Sequence, residues 1–203
     1  MSRIALLICL ALSSQALAGP KVSKAMTRDL SAEALAPALA VEEQIADLQE
    51  ELATAERQAE EAKSGIKAEK LEAKAADAQL DADKAAKKAA KKSGDRSAVR
   101  DARAAADETR SEIDSQEAEA KAARAAKALA GERIKLISAE IDLREAEAEQ
   151  LKARAAYDAG MVLDVAMFEA AVAKAEIDYQ KAREEYSLAE AKYNAKMGDV
   201  AQE

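Results

Sequence analysis

The sequence predicts an all-α fold: a long antiparallel coiled-coil hairpin followed by a third, C-terminal helix, elongated. Three observations predict it. Apolar residues recur in alternating steps of four and three through most of residues 41–197. Ala supplies about a quarter of the 203 residues, and 34% are charged. Gly and Pro, which interrupt helices, number only 6 and 2. Large apolar side chains are scarce, so no thick core can form. A buried methyl contributes ~0.8 kcal/mol against ~1.5–3 kcal/mol for a whole Leu or Phe side chain. Stability must then come from many small contacts spread along helices.

Residues 1–18 read as a secretory signal peptide. Arg3 is the positive start, IALLICLAL the apolar run, and Ala16-Leu17-Ala18 the small-residue cleavage box. The apolar run is far shorter than the ~20 residues that span a bilayer. Cleavage is expected after Ala18, so membrane contact would be limited to the transient signal. The alternative is a buried N-terminal helix. The single cysteine, Cys9, lies inside this run and would leave with it, giving an exported chain held by packing alone. A lipidation role for Cys9 is the other reading, but Leu7-Ile8 before it lacks the expected small residue. Loss of Arg3 takes the formal charge from −8 to −9, which favours solubility and opposes general polyanion binding.

Residues 19–40 hold both prolines, Pro20 and Pro37, and carry no sustained heptad. They read as a flexible leader. The first coiled-coil helix is expected over 41–92, with a seam of Val41, Ile45, Leu48, Leu52, Ala55, Ala59, Ala62 and Ile66. That seam weakens at Glu69 and resumes at Ala73, Ala76 and Leu80. KKSGDRS ends it: Gly94 can take a left-handed conformation, and Asp95 or Ser97 can cap the next helix.

The second helix is expected over 97–156. Its seam is Val99, Ala102, Ala106, Thr109, Ile113, Gln116, Ala120 and Ala123, then Ile134, Ile137, Ile141, Ala148, Leu151 and Ala155. Gly131, between the two runs, marks either a kink or a close-packing site. The short connection at Gly94 favours an antiparallel pair. Charge agrees, since residues 63–103 carry 12 basic and 7 acidic side chains and residues 104–203 carry 14 and 22.

YDAGMVLD, residues 157–164, is the second break. Asp164 can cap, and Leu163 with Phe168 fit a hydrophobic staple. The third helix, 164–197, has the most regular seam: Val165, Phe168, Val172, Ala175, Tyr179, Ala182, Tyr186, Ala189 and Tyr193. Tyr179, Tyr186 and Tyr193 read as the large edge of a packing seam with Phe168 and Val172, their rings covering Ala on the second helix near Ala148 and Ala155 or the residues around them.

The available chemistry is narrow. The chain has no His, and Cys9 leaves with the signal. No catalytic, cofactor-binding or metal-ligating residues are expected, and LDADK lacks the glycine of a calcium loop. An enzyme is not expected. Lys84, Lys87, Lys88, Lys91 and Lys92 line one helical face and form a candidate anion contact, as against a solvated face at a helix C-terminus. No aromatic residue interleaves them, so no nucleic acid is expected.

The segment from Tyr157 to Gly198 resembles the helical repeat of TolC-type outer-membrane efflux proteins. Tyr157 and Gly160 match that family's turn, Asp164-Val165 its helix start, and Gly198 its small-residue stop. The family's barrel strands are missing from this sequence. The resemblance implies a periplasmic helical relative, or a partner that packs against such helices. The leading expectation is an exported, periplasmic coiled-coil scaffold or spacer that binds a protein partner or itself. A component or adaptor of an export system comes second, and an envelope polyanion binder acting through Lys84–Lys92 third.

Overall fold

The computed structural model describes residues 19–200. The expected signal segment with Cys9 lies outside them. The described residues form four helices: α1 (Lys24–Arg28), α2 (Ala32–Ser93), α3 (Arg96–Asp158) and α4 (Val165–Val200). The fold is all-α. Two long helices pack against each other, a C-terminal helix follows, and the described residues contain no strand.

Each boundary has a local cause. Ser31 caps α2: its Oγ accepts from the Ala34 N–H at 3.2 Å and its carbonyl from the Leu35 N–H at 3.2 Å. Glu33 in the first turn suits the positive helix end. The helix therefore starts well before Val41 and runs through Pro37. An interior proline costs about 3 kcal/mol; the adjoining Ala38 is only 1% exposed.

The α2–α3 connection is Gly94-Asp95. Gly94 has φ 77, open to glycine without strain. Asp95 is the cap: its Oδ1 accepts from the Ser97 and Ala98 N–H groups at 2.9 and 3.1 Å. After α3, Gly160 has φ 85. The Met161 N–H donates to the Ala156 carbonyl at 3.0 Å and the Gly160 N–H to the Tyr157 carbonyl at 2.9 Å, which is a Schellman stop. Asp164 caps α4 through the Ala166 N–H at 3.1 Å.

The chain divides into two compact units. Residues 19–53 with Lys135–Glu184 form the first, and Thr54–Ile134 with residues 185–200 the second. In the first, Val22, Ala153 and Phe168 are buried together, and Met26 and Leu163 pack against them. Phe168 is 2% exposed. Residues 19–40 are thus not a free leader. Val22 and Met26 cover Phe168, Ser23 caps α1 through the Met26 N–H at 3.4 Å, and the Val22 N–H donates to Glu149 at 2.7 Å. Ile45, Ile137, Ile141 and Leu143 are also buried in this unit.

The second unit is leaner. Its buried hydrophobic residues are Ala55, Ala90, Ala106 and Ala125. The α2 stripe there is Ala55, Ala59, Ala62, Ile66, Glu69, Ala73, Ala76, Leu80, Asp83, Lys87 and Ala90, all buried or half-buried. The four-three rhythm does not lapse at Glu69; a carboxylate simply occupies a seam position. Thr109, 7% exposed, donates from Oγ1 to Asp83 at 2.8 Å across to α2. Glu69 and Gln116 each carry a buried side-chain oxygen without a hydrogen-bond partner.

At Gly131 the close-packing expectation is corrected: α3 continues through it, and a Cβ there would meet no heavy atom within 4 Å. Gly198 does not end α4, which continues to Val200.

Candidate functional site

The five lysines of residues 84–92 do not form one solvated row. Lys87 is half-buried on the α2 stripe that faces α3, while Lys84, Lys88, Lys91 and Lys92 are exposed. Lys84 pairs with Asp81 at 3.1 Å. The 100° step between helical residues spreads i, i+3 and i+4 positions wide enough for one edge of the row to enter the seam.

On α4 the seam residues Val165, Val172, Tyr179, Tyr186 and Tyr193 are half-buried and Phe168 is buried. For Tyr193 the expected partners are corrected. Tyr193 lines a groove of about 340 Å³ with Ala125, Ala128 and Leu188, not with Ala148 or Ala155. The Gly160 turn makes α4 run antiparallel to α3, so the end of α4 meets an earlier part of α3. Ala148 instead lines a cavity with Phe168 and Ala175.

Sequence reasoning missed a second stripe on α3. In the second unit it is Ala118, Ala122, Ala125, Leu129 and Glu132; in the first, Leu136, Ala139, Leu143, Ala146, Gln150 and Ala153. All are buried or half-buried. One face of α3 meets α2 and the other meets α4, so the apolar arc is wider than a single coiled-coil seam. The available signal was Leu129, Leu136 and Leu143 at seven-residue intervals.

The most enclosed chemistry lies in the first unit. Lys152 on α3 reaches Glu42 of α2 at 2.7 Å and Glu149 at 2.8 Å. Glu149 also accepts from the Val22 N–H, so one carboxylate ties the N-terminal segment to α3. Burial works against the charge on Lys152, but its hydrogen bonds to Glu149 and Glu42 outweigh it and raise its pKa. These groups border a cavity of about 350 Å³. On its wall the Asp142 carboxyl is pushed up, first by burial and then by the charge of Asp178.

Among the described residues no group of three or more His, Cys, Asp or Glu is placed to hold a metal ion. No described helix is long and apolar enough to cross a membrane. No family model, curated protein or solved structure matches the chain.

Proposed function

We propose that this protein is an exported coiled-coil scaffold of the bacterial envelope that works by docking helices. The observation that carries the reading is on α4. One side of this helix is seam, yet Met167 and Ile177 are 52% and 70% exposed, and Leu188, at the rim of the groove with α3, is 58% exposed. Single exposed apolar residues are ordinary; several large ones on a helix already packed along one stripe support a further helical partner or a second copy. The sequence pattern of residues 1–18 supports export, and a periplasmic location goes with it.

Photo-crosslinking residues placed at Ile177 or Leu188 test this in intact cells. Adducts to a helical protein, or to a second copy, are expected, with none from the exposed Asp77 on α2. Equal yields from all three positions would sink the proposal.

A second reading, a component or adaptor of a TolC-type export system, rests on the sequence resemblance of Tyr157–Gly198; Gly160 and Asp164 act as helix stop and cap, whereas α4 continues past Gly198. Recovery of transporter subunits in the same adducts supports it over self-association. The polyanion reading has less support, because Lys87 lies in the seam.

A further inference from the structure

The face of α4 opposite its seam has a pattern of its own. Val172, Tyr179 and Tyr186 are half-buried on the seam; half a turn away lie Ile177, Lys181, Glu184 and Leu188, all exposed. These four are spaced by four, three and four residues, the rhythm of a coiled-coil stripe. The same rhythm reaches Met167 toward the start of α4 and Ala195 toward its end, both exposed on one uninterrupted helix, Val165–Val200.

This stripe is its own complement. Laid antiparallel on a copy of itself, about a two-fold axis between residues 182 and 183, it sets Ile177 on Leu188 of the second copy and Lys181 on Glu184 of the second copy. Two-fold symmetry makes each pair occur twice. Two apolar pairs then flank a box of four charges of alternating sign. Farther out, Ala170 faces Ala195, Lys174 faces Ala191 and Met167 faces Gly198. One member of each pair is Ala or Gly, so large and small residues interdigitate. Other registers lack this fit. A shift of one heptad puts Ile177 on Lys181 in one direction and Leu188 on Glu184 in the other. A parallel pair puts Lys181 on Lys181 and Glu184 on Glu184. Like charges in contact oppose wrong pairings, and charged seam positions fix register and direction.

We infer that the outer face of α4 pairs with the same face of a second copy of this chain, antiparallel, with Ile177 on Leu188 and Lys181 on Glu184. Few of the paired side chains are large and apolar, so the pairing is reversible and rises with protein concentration. The inference rests on the helix-docking reading of α4 and names its partner.

Single cysteines test it in the full chain carrying Cys9→Ser, which removes the natural thiol. Ile177→Cys and Leu188→Cys chains, one of them lengthened by a tag, are mixed and oxidised. A mixed disulfide is expected. Each variant alone should give none, because residue 177 of one copy lies ~16 Å along the axis from residue 177 of the other at ~1.5 Å per residue, and so does residue 188 from its counterpart. A disulfide needs Cα atoms within ~7 Å. Lys181→Glu in both chains brings four carboxylates together and should abolish the mixed product; Lys181→Glu with Glu184→Lys should restore it. Circular dichroism checks that these exposed substitutions leave the helical signal unchanged. A mixture that yields no more disulfide than either variant alone overturns the inference, and so does a mixed product indifferent to Lys181→Glu. If it fails while photo-adducts at Ile177 or Leu188 contain a different helical protein, the docking reading stands and only the second copy is refuted.

Discussion

Lys152 shows how little a residue's type says about its role. In the run EAEAEQLKARAA it looks like one more solvated charge, as do Glu149 and its neighbours. In the structure its side chain is 18% exposed and bridges two helices. Its pKa is raised. A lysine with a raised folded pKa contributes stability that is fully present below its unfolded value of ~10.4 and is lost as pH rises through the folded value. Lys152→Met is therefore expected to lower Tm near neutral pH, with the deficit shrinking in strongly alkaline solution. Melting curves followed by circular dichroism across that range check it. A deficit constant with pH would mean that the lysine acts only through packing of its stem.

The helices themselves were largely legible, because helix signals are local. Asp95, Gly94, Gly160 and Asp164 act on backbone groups only a few residues away, and each does in the structure what its position announces. The first turns of α2 escape the sequence pattern because they carry Pro37 and no sustained heptad, and their start depends on a single local cap at Ser31. The α3 stripe facing α4 was missed because most of its members are Ala, which contrasts weakly with the solvent faces. Polar seam positions are a separate matter. Glu69 occupies the α2 stripe with a buried oxygen unpaired, and such a group costs ~1–3 kcal/mol. Glu69→Leu should raise stability by about that amount in urea denaturation, since it restores an apolar side chain to the stripe. A loss of stability would show that the carboxylate is satisfied in solution.

For the whole molecule, the distribution of large side chains decides where stability resides. The first unit buries Phe168, Ile137, Ile141 and Leu143; the buried hydrophobic residues of the second are alanines. Burial of a Phe or Ile is worth two to four times that of an Ala methyl on a scale of ~0.8 kcal/mol per methyl. Hydrogen exchange should therefore proceed first in Thr54–Ile134 and last in Lys135–Glu184; uniform protection along α3 would refute this. The sequence by itself determined the helical class, the two turns and the residues of the α4 seam. These depend on periodicity and on capping groups within one turn of their targets. Only the tertiary structure decided that Val22 and Met26 pack with Phe168, that α3 serves two partners, and that Glu42, Glu149 and Lys152 share one network. Those pairings join residues as much as 127 positions apart, drawn from types repeated throughout the chain, so local pattern cannot distinguish them from their solvated counterparts.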